Sequence, residues 1–99
     1  MRLCVVLPCF FRGVDLCEAI RTVAALGYDA VETYRWKELD LDLVRETLDA
    51  CGVEMMSICT TEFRLNDPAH RAEWLDGLRQ SCEAAKRLGV KRQIGRAHV

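Results

Sequence analysis

Ninety-nine residues, 51% hydrophobic and 29% charged with a net charge of −1, make an ordinary globular chain long enough for one small domain. Fourteen Lys and Arg are balanced by fifteen Asp and Glu, so the basic excess of a nucleic-acid binder is missing. No stretch approaches the roughly 18–20 apolar residues of a membrane span, and the apolar run 3–11 stops at Arg12-Gly13 without the small-residue cleavage site of a leader.

The predicted elements alternate. Residues 2–7 form a short valine-containing apolar run and read as a buried strand. A helix follows from Asp15, an N-cap type with Glu18 three residues on in the spacing of a capping box. Leu16, Ile20 and Val23 make its apolar face, and Gly27 ends it. Residues 28–34 read as the second strand. The second helix starts at Asp40 or Asp42, buries Val44, Leu48 and Cys51, and stops at Gly52. Residues 53–60 are the third strand. The third helix opens with Asp67 as N-cap and Pro68 at the first helical position; Leu75, Leu78, Cys82 and Ala85 are its expected buried stripe, and Gly89 closes it. A fourth strand begins by Lys91.

Three helix ends share one pattern. Gly27-Tyr28-Asp29, Gly52-Val53-Glu54 and Gly89-Val90-Lys91 each give glycine, an apolar residue and a charge before the next strand. Strands and helices alternating at this spacing mean βαβ units and a parallel sheet, and strands covered on both faces explain the continuous apolar runs. The six cysteines (4, 9, 17, 51, 59 and 82) show no C-x-x-C pair and no Cys/His cluster. They are expected to be reduced, small hydrophobes of a cytoplasmic protein.

The stretch Leu26-Gly27-Tyr28-Asp29-Ala30-Val31-Glu32, continued by TYRWKELD at 33–40, SICT at 57–60 and NDPAHRAEWLDGLRQSCEAAKRLGVK at 66–91, resembles the N-terminal part of the hydroxypyruvate isomerase group. That group belongs to the xylose-isomerase-like sugar isomerase and epimerase barrels. The likeness covers about residues 2–92. It is moderately specific for the superfamily and weak for any one substrate. It implies an α/β fold, namely the first three to four βα units of a (β/α)8 TIM barrel, which takes about 250 residues. Residues 1–93 are then expected to be the N-terminal part of such a barrel. Residues 94–99 (Ile-Gly-Arg-Ala-His-Val) show no strand period and no helix start, and are similar to a sequencing-library adapter translated in one frame. They are expected to be a non-native tail.

The resemblance implies isomerisation of a small aldose- or ketose-type hydroxycarbonyl, such as hydroxypyruvate and tartronate semialdehyde, through an enediolate. The full-length enzyme would use a divalent metal such as Mn or Mg, with glutamates moving the proton. Those catalytic and metal-ligating residues lie on later strands in the family. None is carried onto this sequence, and Glu32, Glu54 and Glu62 do not fit the motif. The implied partner is a small sugar or hydroxycarbonyl, with neither nucleic acid nor membrane. A homo-oligomer of the full-length protein is compatible with this picture.

In such a barrel the site lies at the C-terminal ends of the strands. Residues 9–12, 32–36 and 59–63 occupy those positions. Glu32 alternates with Val31, so it points into the barrel mouth if Val31 packs under the helices. There it would accept hydrogen bonds from sugar hydroxyls or steady a neighbouring ligand; a salt bridge to Arg35 or Arg2 is the other reading. Tyr34 and Trp36 offer flat faces for the C–H side of a sugar, or pack against a neighbouring loop or a second subunit. Thr60 and Thr61 offer hydroxyls, or serve as caps and turns. His70 reads as a solvated helix residue. The substrate-binding candidates are therefore Glu32, Tyr34, Trp36 and Thr60.

Two further readings stay open. An epimerase or dehydratase on the same barrel is the alternative to the isomerase, whereas an abasic-site endonuclease would need a basic face and histidine zinc ligands. The chain would otherwise be a complete small α/β binding module without catalysis. In that case residues 94–99 would finish a native strand, and PCFFRG at 8–13 lacks the glycine spacing of a phosphate loop.

Overall fold

The computed structural model describes residues 2–60 and 66–95. Strand β1 (Cys4–Val6) leads into a single helical turn, α1 (Leu7–Phe10), which carries Pro8 in its first turn. Then come α2 (Leu16–Ala25), β2 (Ala30–Glu32), α3 (Leu41–Cys51), β3 (Glu54–Cys59), a 3₁₀ turn at Pro68–His70, α4 (Arg71–Leu88) and β4 (Gln93–Ile94). The N-terminal strand is shorter than its apolar run suggested, because Pro8 starts a helical turn where the run continues.

The four strands are parallel and lie in sequence order, β1-β2-β3-β4. Each strand is laid beside its predecessor by a helical connection. A doubly wound nucleotide-binding sheet instead reverses strand order at a switch point; the described strands do not. Progress in one direction is the winding of a barrel wall.

Capping follows the chemistry of the sequence. Asp15 accepts from the Glu18 N–H (3.3 Å) and Asp40 from the Leu43 N–H (3.2 Å), which settles the start of α3 at Asp40. Glu18 does not complete a capping box; its carboxylate takes Arg21 at 2.5 Å. Asp67 caps the 3₁₀ turn through the Ala69 N–H (3.0 Å). Gly52 and Gly89 end α3 and α4 at φ 66° and 72°, a left-handed conformation strained for other residues.

The helices cover one face of the sheet, α2 against α3 and α3 against α4. Ile20, Val23, Val31, Val44, Leu48, Met55, Ile58, Ala84 and Leu88 form the core there. The stripe expected for α4 is rotated. Gly77, Ser81, Ala84, Ala85 and Leu88 are buried, whereas Leu75 and Cys82 are exposed and Leu78 is half-buried. Small side chains let α4 approach the sheet closely. The Ser81 hydroxyl, with one proton to donate, lies 2.8 Å from the Leu78 carbonyl and 2.6 Å from Gln93 Oε1, a contact between the helix and β4. Counting only large apolar residues therefore picks the wrong flank. The cysteines divide in the same way: Cys17 is buried, Cys51 and Cys59 are half-buried, and Cys4, Cys9 and Cys82 are exposed, so most are not core residues.

Strand β4 runs across the boundary expected between residues 93 and 94. Ile94 aligns with Cys59, and its carbonyl accepts from the Thr60 N–H (3.0 Å). Residues 96–99 of the expected tail lie outside the described residues.

Candidate functional site at the strand ends

The helix-free side of the sheet carries the polar groups near the strand C-termini. Val31 is fully buried under the helices, and alternation turns Glu32 to the opposite face. Glu32 is half-buried, and its Oε1 accepts a hydrogen bond from Ser57 Oγ at 3.0 Å. Arg2, one of its two expected ion-pair partners, instead meets Glu54 at 2.9 Å near the opposite end of the sheet.

The Glu32–Ser57 pair depends on an irregularity. Ala30 and Val31 align with Glu54 and Met55, but Glu32 aligns with Ser57, so β3 inserts Met56 as an extra residue. A β-bulge of this kind reverses the facing of every later residue on its strand. Met55 and Ile58 both stay buried against the helices, while Ser57 is brought opposite the carboxylate.

Tyr34 lies two residues beyond Glu32, is 43% exposed, and has its hydroxyl 3.4 Å from Cys9 Sγ. The hydrogen bond to Cys9 raises the phenol pKa above its ordinary value, and the charges of Cys9, Cys59 and Glu32, with some desolvation, push the same way. Residues from the ends of β1, β2 and β3 therefore meet around one phenol. The thiol pKa of Cys4, an exposed residue, is also raised, chiefly by partial desolvation and then by the charges of Glu32 and Glu54. Both shifts favour the neutral forms in the folded chain. Their stabilising contribution is complete below the unfolded values, about 9 for the thiol and 10 for the phenol, and is lost as pH rises through the raised values. Cys9→Ala is expected to bring Tyr34 ionisation back towards about pH 10. The check is absorbance at 295 nm, with Tyr34→Phe identifying the transition; an unchanged midpoint would remove Cys9 as the cause.

Trp36 is placed differently from an open sugar platform. It is 9% exposed, and its indole Nε1–H donates to the carbonyls of Cys59 (2.9 Å) and Thr60 (3.2 Å). It braces the end of β3 from the loop after β2, where the Cys59 N–H also donates to the Tyr34 carbonyl (3.2 Å). Lys37 Nζ sits 6.0 Å from the Trp36 ring centroid. Thr60 is buried, and its Oγ1 has no hydrogen-bond partner among the described residues. A buried hydroxyl left unpaired costs about 1–3 kcal/mol, so one at a strand C-terminus marks a place where a ligand group or water has something to satisfy. His70 is exposed and 2.9 Å from Asp67, a helix-start interaction. Thr61, Glu62 and Phe63 lie outside the described residues.

The structure thus gathers Glu32 and Tyr34, with Ser57 and Cys9 as partners that sequence reasoning missed. It links Trp36 and Thr60 through the backbone. Nothing in the sequence signals the bulge, and without it Ser57 counts as facing the helices. Among the described residues no three His, Cys, Asp or Glu side chains converge as a metal site. The described residues do not fit the metal implied by the resemblance. No described helix is long and apolar enough to cross a membrane.

No family model and no curated protein matches the chain. Its fold is similar to part of several larger solved structures. An AP endonuclease, family 2, from Brucella melitensis superposes with a TM-score of 0.85 at 18% identity over 93% of this chain and 39% of that one. A xylose isomerase domain containing protein from Salmonella typhimurium gives 0.75 at 16% identity, covering 91% of this chain and 35% of that one. A sugar phosphate isomerase/epimerase from Parabacteroides distasonis gives 0.73 at 11% identity, over 99% and 40%. At such identities the likeness shows the fold: successive parallel βα units of a TIM barrel. The chain spans well under half of each of these structures.

Proposed function

We propose that this chain supplies the first strands of a xylose-isomerase-like barrel enzyme that isomerises a small hydroxycarbonyl, of the hydroxypyruvate and tartronate semialdehyde type. The observation that carries the reading is the grouping of Glu32 and Tyr34 on the helix-free face at the strand C-termini, where barrel enzymes hold their substrates. The sequence resemblance and the sugar isomerase and epimerase barrels among the structural neighbours support the same class.

On this reading Glu32 accepts a hydrogen bond from a substrate hydroxyl through the oxygen that Ser57 does not hold. Tyr34, kept protonated at neutral pH, donates to a substrate oxygen and lays its ring along the carbon chain. Trp36 and the Thr60 backbone fix the neighbouring strand end. Proton transfer and a divalent metal belong to strands outside this chain. A small neutral or anionic hydroxylated substrate suits a chain of net charge −1 better than the DNA implied by the endonuclease neighbour's name.

The test is turnover. The 99-residue chain is expected to show none, with or without manganese or magnesium, whereas the complete gene product interconverts hydroxypyruvate and tartronate semialdehyde and loses activity after chelation. Glu32→Ala in that product is expected to raise KM about tenfold, the worth of a hydrogen bond to a charged group. Turnover by the 99-residue chain, or an unaltered KM in the variant, defeats the reading.

A further inference from the structure

We infer that Ser57 is a positioning residue for Glu32, delivered to it by the bulge in β3. The inference rests on the substrate-binding reading of Glu32. Three observations carry it. The register slips by one residue between Val31 and Glu32, so that Ser57 and not Met56 stands opposite the carboxylate. The Ser57 hydroxyl is directed at Glu32 Oε1 at 3.0 Å. Ser57 is only 4% exposed, so it cannot turn into solvent, whereas Glu32 is half-buried and keeps a face towards the strand ends. A carboxylate at the end of three rotatable side-chain bonds would otherwise sample several directions. Anchoring one oxygen restricts those rotations and leaves the second oxygen outside the Ser57 hydrogen bond. Bulges are enriched beside active sites because they re-aim a side chain in this manner.

The consequence is that Ser57 contributes to substrate recognition without touching substrate. Ser57→Ala removes one oxygen from a buried site and leaves the apolar packing of Met55 and Ile58 in place.

The experiment is a mutant cycle on the complete gene product, with hydroxypyruvate as probe and KM and kcat read separately. Ser57→Ala is expected to raise KM about five- to tenfold with little change in kcat. Ser57→Thr, which keeps the hydroxyl, restores KM to within about twofold. In a Glu32→Ala background Ser57→Ala causes no further loss, because the group it orients is gone. If Glu32→Ala leaves KM unchanged, the substrate-binding reading itself fails. If Glu32→Ala raises KM while Ser57→Ala does not, or if the two losses simply multiply, the positioning role alone is overturned. A reading frame that stops at Val99 overturns both.

Discussion

Trp36→Ala is expected to destabilise the chain by about 3–5 kcal/mol, the range for emptying a buried aromatic site. The indole is 9% exposed and fills the space between the loop after β2 and the end of β3. Its Nε1–H also serves two carbonyls at once, Cys59 and Thr60. Trp36→Phe separates the two contributions. It keeps most of the apolar volume and removes only the donor, at an expected cost of about 1–3 kcal/mol for the lost hydrogen bonds. Urea unfolding at low protein concentration measures both, provided the m-value is unchanged. A Trp36→Ala midpoint equal to that of the parent would show that the loop is not braced through this ring.

The repeating grammar of the chain was legible because it rests on backbone chemistry. Asp15, Asp40 and Asp67 cap, and Gly52 and Gly89 stop helices, wherever such residues fall at helix ends. The parallel sheet and its successive winding follow from that rhythm. The placement of Glu32 opposite Val31 was equally accessible from alternation. What escaped was set by tertiary contact. The buried face of α4 is chosen by how closely Gly77, Ser81 and Ala84 let it approach, and a hydrophobicity pattern weights those residues least. The bulge at Met56 has no marker in a run of strand-forming residues, so Ser57 could not be matched with Glu32. Trp36 reads as a binding aromatic from its position, yet a buried indole needs an acceptor, and the acceptors are backbone carbonyls no sequence pattern reveals. Cys9 read as a packing thiol, although its neighbour is a phenol brought from the next strand end.

The 99-residue chain is expected to self-associate as its concentration rises through tens of micromolar, a range in which exposed sheet edges and apolar faces become sticky (about μM to mM). β1 and β4 are the two edges of the described sheet, and each carries backbone groups with no strand beside them. Apolar side chains stand at both: Leu3, just before β1, is 50% exposed, and Ile94 of β4 is 49% exposed. The helix-free face adds half-buried Val6 and exposed Cys4, and Phe10 at the strand ends is 75% exposed. Among the described residues no long helix covers that side, since α2, α3 and α4 all pack on the other. Charged residues on an edge oppose pairing with a second chain, because a lysine cannot be desolvated cheaply between two strands. Leu3→Lys combined with Ile94→Lys is therefore expected to hold the chain at the monomer value in sedimentation equilibrium at about 100 μM, where the parent has already moved to higher mass. The comparison also separates the two sources of association. If the double variant still associates and binds a hydrophobic dye as strongly as the parent, the open face is responsible and the edges are not. A parent chain that stays monomeric throughout this range, with no dye binding, would mean that the helix-free face is covered in solution.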